Sequence, residues 1–309
     1  MPEPKDVGLV LPVPVSAGFW QRCQHKAQAR TACVPQDFSG TSCTTFPKDG
    51  YPDERTTSSM SNAFRNKVAV VTGGSAGIGH VTARKIAEGG GTVYITGRDQ
   101  DAVTAAAADI PGDVIGVRAD SRSADELDRL FVQVERRSGQ LDVLVVNAAA
   151  IATAPLGTIT EDVIRTVFDV NITGTIMTVQ KALPLLADGG VIVLTGSMAA
   201  HKASRGRSLY AASKAGVRAL ARTWALELTP RGIRVNVVSP GPTDTPGIAQ
   251  LAATAEEREA LIATMGTGTP MTRAGTAEEV AAVISFVASD AASHVNGADY
   301  QVDGGYGQV

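Results

Sequence analysis

Val68-Ala69-Val70-Val71-Thr72-Gly73-Gly74-Ser75-Ala76-Gly77-Ile78-Gly79 is the stretch on which the reading of this chain turns. Four apolar residues in a row, three of them valine, suit a strand buried on both faces of a parallel sheet. The glycine-rich turn after it suits close approach of backbone to a ligand. A helical pattern runs on from His80 to Glu88, with Val81, Ile86 and Ala87 as candidate buried positions. Strand, glycine turn and helix start together make an anion site, because free N–H groups and the helix dipole point at the turn. A dinucleotide pyrophosphate is the expected guest. The spacing, T-G-x-x-x-G-x-G from Thr72 to Gly79, differs from the G-x-G-x-x-G fingerprint. A glycine turn alone also serves as a tight turn with no ligand, so the weight rests on the residues downstream of it.

Downstream of Asn66, strand and helix signals alternate. Thr92–Thr96, Val114–Val117, Leu141–Val146, Val191–Leu194, Ile233–Val238 and Tyr300–Val302 read as strands. Between them, Asp101–Asp109 is alanine-rich and helical, and long helices are predicted from Thr160 to about Leu186 and from about Leu209 to Leu228. Ser123-x-x-Glu126, Thr254-x-x-Glu257 and Thr276-x-x-Glu279 read as capping boxes that open three more helices. Strands alternating with helices mean a parallel sheet covered on both faces.

Residues 1 to about 62 differ from the rest. Pro2, Pro4, Pro12, Pro14, Pro35, Pro47 and Pro52 are scattered through them, with many Ser and Thr and no sustained period. This predicts a disordered or weakly ordered extension over 1–62, followed by one folded domain over 63–309. Met60 stands as an alternative initiator. Acidic Glu3 and Asp6 precede an apolar segment broken by Pro12 and Pro14, which is unlike a secretory leader. A cytoplasmic location is therefore expected.

The formal charge of −3 gives no electrostatic reason to expect nucleic acid or an acidic membrane surface. No apolar run approaches the roughly 20 residues that span a bilayer. The three cysteines, Cys23, Cys33 and Cys43, all precede Met60, so the folded part has neither a disulfide framework nor a cysteine nucleophile. Four histidines without an H-x-x-x-H pair give no zinc pattern, and no metal is expected.

A second cluster lies after the fifth strand. That strand ends Thr195-Gly196-Ser197, and the next helix opens Tyr210-Ala211-Ala212-Ser213-Lys214. Tyr210 and Lys214 stand four apart, so they share one helical face. An ammonium near a phenol favours the phenolate and lowers its pKa. That turns a tyrosine into a usable proton donor and acceptor. Ser197 is placed to hydrogen-bond the oxygen on which Tyr210 acts. Each feature alone has an ordinary reading, a helix-surface pair or a polar strand end; together with the glycine turn they point to one site.

From about Phe64 to Gly305 the chain resembles a short-chain dehydrogenase/reductase. The resemblance rests on Thr72-Gly73-x-x-x-Gly77-x-Gly79, Asn147-Ala148, Asn171, Ser197, Tyr210-x-x-x-Lys214, Pro240-Gly241 and Val302-Asp303-Gly304-Gly305, in that order. It implies an α/β fold, a single Rossmann-like, doubly wound parallel sheet of about seven strands. It implies a catalytic set of Asn171, Ser197, Tyr210 and Lys214. Tyr210 would be the acid in reduction and the base in oxidation, and Lys214 would lower its pKa and hold the nicotinamide ribose. Ser197 would orient the carbonyl, and Asn171, inside the long helix, would hold a water linking Lys214 to solvent. Cofactor contacts would come from Gly73, Ser75, Gly77, Ile78, Gly79, Arg98, Asp120, Asn147, Tyr210, Lys214, Pro240, Gly241, Thr243 and Thr245. Asp120 would accept from the adenine amino group. Where the family usually has Asn-Asn-Ala-Gly, this chain has Val146-Asn147-Ala148-Ala149. Ala149 in place of glycine puts a methyl where backbone passes the cofactor and raises a question about affinity rather than chemistry.

Arg98, at the end of the second strand, stands where an acid would select NAD, and an arginine accommodates a 2′-phosphate. NADP is the expected cofactor, with NAD the alternative. Ile151, Met198, Ala199, Leu209 and Pro242 are the expected pocket residues, and Gly247–Met271 reads as a lid with Gly266 and Gly268 as hinges. These apolar or small residues suggest a small to medium uncharged ketone or secondary alcohol, turned over by an NADP-preferring carbonyl reductase or alcohol dehydrogenase. A 3-oxoacyl-carrier-protein reductase is an alternative, although the turn Ala187-Asp188-Gly189-Gly190 lacks a base for carrier docking. A non-catalytic dinucleotide-binding sensor or scaffold is the rival from another class. The long helices carry Val163, Val167, Ile172, Ile176, Val217, Leu220, Trp224 and Leu228, more apolar positions than one sheet face needs. A homo-oligomer, specifically a tetramer, is expected, with a small-molecule substrate and no nucleic-acid or membrane partner.

Overall fold

The computed structural model describes residues 62–249 and 254–308. The predicted extension and the cysteines lie outside the described residues, apart from Asn62. The glycine-turn strand forms as expected, with Val68–Val71 as β1. Val70 packs into one core and Ala69 and Val71 into another, on opposite faces of the sheet. The same alternation runs through β4 and β5, where Leu144 and Ile192 face one way and Val143, Val145, Val191 and Val193 the other. Strands buried on both sides need no polar face, which is why their sequences are continuous apolar runs.

In chain order the elements are β1, α1 (Gly77–Glu88), β2 (Thr92–Gly97), α2 (Gln100–Asp109), β3 (Val114–Arg118), α3 (Ala124–Ser138) and β4 (Leu141–Val146). Then come α4 (Glu161–Phe168), α5 (Gly174–Ala182), β5 (Leu186–Thr195), α6 (Ser208–Glu227) and β6 (Arg234–Pro240). The last are β7 (Thr243–Asp244), α7 (Pro246–Ala249), α8 (Ala255–Thr267), β8 (Gly275–Thr276), α9 (Ala277–Ala288) and β9 (Asp299–Val302). Seven strands form one sheet in the order β3-β2-β1-β4-β5-β6-β9, with every neighbouring pair parallel. The fold is thus Rossmann-like, as expected. Chain order reverses direction between β1 and β4, and in open α/β sheets ligands bind at that switch, beyond the carboxyl ends of the strands.

Three expectations need correction. The long helix predicted from Thr160 to Leu186 is two helices, α4 and α5, joined by a wider π turn at Asp169–Thr173, and β5 already starts at Leu186. An apolar period near 3.6 runs through both helices, so a local change to five-residue bonding leaves no mark in it. Of the capping boxes, Thr276–Glu279 is complete. Ser123 does accept from Glu126 N–H, but the Glu126 carboxylate turns to Asp120 N–H at 2.8 Å instead. Gly266 is not a free hinge: it lies in α8, and a β-carbon there would press on Arg273 backbone.

Candidate active site

The turn after β1 is shaped by backbone that only glycine adopts easily. Gly73 and Gly77 have φ of 64° and 57°. Gly79 has another task. A β-carbon there would run into Gly73 carbonyl and the Asn147 side chain, so its absence lets α1 pack against the turn. Thr72 Oγ1 accepts from Asn147 N–H and Ala148 N–H at 2.9 and 3.1 Å. Asn147 Nδ2 donates back to Thr72 and Gly73 carbonyls at 3.2 and 3.3 Å, and its Oδ1 accepts from Thr195 Oγ1 at 3.3 Å. Asn147 therefore ties the ends of β1, β4 and β5 together.

Two cavities meet along this edge, sharing Asn147, Ala149 and Ile151 in their walls. One, of about 430 Å³, is lined by Gly73, Ser75, Gly97, Arg98, Asp120 and Ser121. Arg98 is exposed, and among the described residues its side chain has no ion pair. Among the described residues that line it, the one acid, Asp120, is already paired. Arg122 Nη2 reaches its Oδ2 at 2.6 Å and Arg122 N–H its Oδ1 at 3.0 Å. The Arg122 hydrogen bond, helped by the charge of Arg98, holds the Asp120 carboxyl below its usual range against the opposing effect of burial. Arg122 carries no motif of its own in the sequence, although it stands only two residues past Asp120. Ala149 is exposed and does not have positive φ, so replacing the usual glycine brings no backbone strain.

The other cavity, of about 340 Å³, brings together Ser197, Tyr210, Lys214, Ile78, Pro240, Gly241, Thr243 and Thr245. Gly77 and Gly79 form the turn but lie on neither of these two walls. Of the expected pocket residues, Ile151, Met198, Ala199 and Pro242 line this cavity and Leu209 does not. Lys202, Arg207, Met265 and Tyr306 also line it, and sequence reasoning misses them. Two of them had a signal: Lys202 is five residues past Ser197, and Arg207 is three before Tyr210.

The Tyr–Lys pair shares a helix face, with Lys214 Nζ 5.8 Å from the Tyr210 ring centroid. Lys214 is 3% exposed and donates to the Thr195 carbonyl at 2.7 Å. Burial pulls its ammonium down to about 8. Tyr210 does not follow the expectation that Lys214 lowers its pKa. Burial raises the phenol, and the groups that pull it back are the Ser197 hydroxyl, by hydrogen bond, and the charge of Arg207.

Asn171 sits in the π turn rather than inside a regular helix. Its Oδ1 accepts from Ala150 N–H at 2.8 Å. Its Nδ2 donates to Ala150 carbonyl at 2.9 Å and to Ser213 Oγ at 3.0 Å. Both amide protons are used, so the side chain is a brace between the end of β4 and the start of α6, and a water linking Lys214 to solvent is not held by its amide donors.

The sequence of the domain matches a family model described as enoyl-(acyl carrier protein) reductase over residues 73–307. An oxidoreductase of Sarocladium schorii is 41% identical over 79% of this chain and 96% of its own length. A cis-4-hydroxycyclohexanecarboxylate dehydrogenase of Sinomonas cyclohexanicum is 40% identical over 81% of this chain and the whole of its own. A short-chain dehydrogenase of Burkholderia cenocepacia, solved in complex with NADP, superposes with a TM-score of 0.72 at 34% identity, covering 79% of this chain and 99% of that one. The chain belongs to the short-chain dehydrogenase/reductase family. It is an oxidoreductase of that family, whose members bind a nicotinamide dinucleotide.

Proposed function

We propose that the protein is an NADP-preferring carbonyl reductase or alcohol dehydrogenase with Ser197, Tyr210 and Lys214 as its catalytic residues and Asn171 as their brace. The observation that carries this reading is the joining of two cavities, one with Arg98 and the other with Ser197, Tyr210 and Lys214 on its wall. The residues present suit a dinucleotide. Glycine backbone forms the turn, Ser75 Oγ lies beside Gly97, and Arg98 is an exposed cation without an ion pair among the described residues. Arg98, Ser75 and the Gly73 turn would hold the phosphate-bearing half, and Lys214, Tyr210, Pro240, Gly241, Thr243 and Thr245 the nicotinamide half. Asp120 would reach adenine only through its outer edge, since Arg122 holds the carboxylate.

The bound nicotinamide supplies a hydride in reduction and takes one in oxidation. Tyr210 Oη gives its proton to the substrate oxygen in reduction and recovers it in oxidation. Ser197 Oγ donates to the same oxygen. Lys214, fixed by Thr195 carbonyl, turns its remaining protons to the ribose and Tyr210. Burial keeps Tyr210 protonated in the chain alone, which suits an acid; oxidation needs additional positive charge to form the phenolate.

The expected uncharged substrate rested on apolar wall residues, and Lys202 and Arg207 remove that ground. Reduction of a 3-oxoacyl group on a carrier protein is the second reading, supported by relatives named 3-oxoacyl-(acyl carrier protein) reductase that are 36% identical to this chain. One experiment separates the readings: NADPH and NADH oxidation is followed with free ketones, oxo acids and a 3-oxoacyl carrier protein. Free carbonyls should be reduced with NADPH preferred, and Arg98→Ala should remove the preference, a loss of about 1.5–3 kcal/mol in NADPH binding. Turnover of carrier-bound substrate alone would favour the second reading, and equal use of the two cofactors would overturn the NADP assignment.

A further inference from the structure

Among the described residues, the wall of the catalytic cavity carries three cations, Lys202, Arg207 and Lys214, and no aspartate or glutamate. Lys214 is accounted for by the chemistry above. The other two are not. Arg207 is half-buried just before α6, and among the described residues its side chain has neither a hydrogen bond nor an ion pair. It is near enough to Tyr210 for its charge to act on the phenol. Lys202 is held in place rather than neutralised: its Nζ donates to Tyr306 carbonyl at 2.7 Å and lies 4.1 Å from the centre of the Tyr306 ring. A carbonyl and a ring face stabilise an ammonium without cancelling its charge. Asp303, on the same tail, is committed to Gly305 N–H and Gly307 N–H at 2.9 and 2.8 Å.

A half-buried guanidinium without a carboxylate is costly unless its ligand brings one. Arginine also matches a carboxylate in planar, two-pronged fashion. Ile151, Met198, Pro242 and Met265 give the same wall apolar surface that suits a hydrocarbon body. Resting on the proposed carbonyl–alcohol chemistry, we infer that the substrate is an oxo acid or hydroxy acid, with its carbonyl or carbinol at Ser197 and Tyr210 and its carboxylate on Arg207, within the field of Lys202. In reduction the carbonyl carbon gains the hydride from NADPH and the oxygen gains the Tyr210 proton, giving hydroxy acid and NADP⁺; the carboxylate is unchanged.

The test has a binding arm and a turnover arm. In the first, benzoate, cyclohexanecarboxylate and 4-phenylbutanoate are titrated calorimetrically into the protein with saturating NADP⁺, each against its neutral amide. At least one carboxylate should bind about tenfold or more tighter than its amide, the range of one charge-assisted contact. Arg207→Met should erase that difference and Arg207→Lys should keep part of it, and added salt should weaken only the carboxylates. In the second arm, 4-oxo-4-phenylbutanoate and 4-oxopentanoate are compared with their methyl esters. The ratio of kcat/KM for acid over ester should fall at least about tenfold in Arg207→Met, chiefly through KM for the acid. The ratio is the readout because Arg207 also acts on Tyr210, and that action moves acid and ester together. Carboxylates that bind no better than amides in the unaltered protein would overturn the inference, whatever the turnover. A ratio that Arg207→Met leaves intact while it weakens NADP⁺ binding would also overturn it, because the cofactor phosphates would then be the anion. Tight, Arg207-dependent carboxylate binding without turnover would uphold the anion site and count against the carbonyl–alcohol chemistry instead.

Discussion

At residue scale, the assigned chemistry concentrates on two side chains of α6. Tyr210→Phe keeps the ring and deletes the hydroxyl, so cofactor binding should survive. A general acid contributes typically about 10²–10⁴-fold, and turnover on the best substrate should fall by at least that range. Retention of more than roughly a tenth of the activity in steady-state assays would remove Tyr210 from the proton path. Lys214 makes a different prediction, about pH. Its folded pKa, about 8, lies below the 10.5 of an unfolded lysine. Below pH 8 both states carry the charge, and the folded state bears the full cost of burying it. Above 10.5 both are neutral and the cost is gone. The group therefore destabilises the fold at low pH, and stability returns as pH rises between those values. Relative to Lys214→Met, the unaltered protein should gain roughly 2 kcal/mol between pH 7 and pH 9.5, read from denaturant melts. A gap that does not change with pH would mean that Lys214 keeps an ordinary ammonium.

At the scale of elements, the π turn between α4 and α5 is the feature on which the site's geometry hangs. Widening the helix by one residue brings Asn171 to bear on Ala150, just past β4, and on Ser213, beside Lys214. Gly216 belongs to the same joint, because a β-carbon there would press on Ile172 of the turn. Asn171 is 1% exposed, so truncation leaves a buried gap and takes the partners from part-buried backbone groups of Ala150. Asn171→Ala should cost about 2–4 kcal/mol and lower the melting temperature by several degrees. Turnover should fall by more than the unfolded fraction explains, since α6 carries Tyr210 and Lys214. A variant that melts and turns over like the parent would reduce Asn171 to an ordinary helix residue.

For the whole molecule, the prediction concerns assembly and the boundary of the domain. Val167 and Val217, named from the sequence as surplus apolar positions, are core residues. Ile164, Ile176 and Leu226 are the exposed ones, 41%, 36% and 78% accessible on α4, α5 and α6. Apolar groups on neighbouring helices suit pairing across a two-fold axis, and we propose a homotetramer on that ground. The compact unit that contains the site runs from Ser59 to Val309. A chain starting at Met60 should keep the melting temperature and turnover of the full chain, and light scattering should give four times the chain mass. A monomer mass would refute the assembly, and a large loss of either property would show that residues 1–59 support the domain.

Much of this was legible in the sequence because its signals are local. Valine runs declare strands buried on both faces, glycines declare the turn after β1, and a four-residue spacing places Tyr210 beside Lys214 on α6. Those features alone determined the fold class, the end of the sheet where the site lies, and the family. The tertiary structure decided what depends on distant groups. Burial raises the Tyr210 phenol, and the Ser197 hydrogen bond and then the Arg207 charge pull it back, none of which the spacing to Lys214 encodes. Asp120 is claimed by Arg122 through a contact that no period encodes. Asn171 stands in a π turn whose apolar pattern is that of an ordinary helix. The charge of the catalytic cavity was hidden for the same reason: Lys202 and Arg207 lie in a connecting segment without periodicity, and only folding brings them, with Tyr306 from the far end of the domain, around one pocket. Electrostatics and hydrogen bonding act through space, and a linear pattern records only the neighbours that the chain itself supplies.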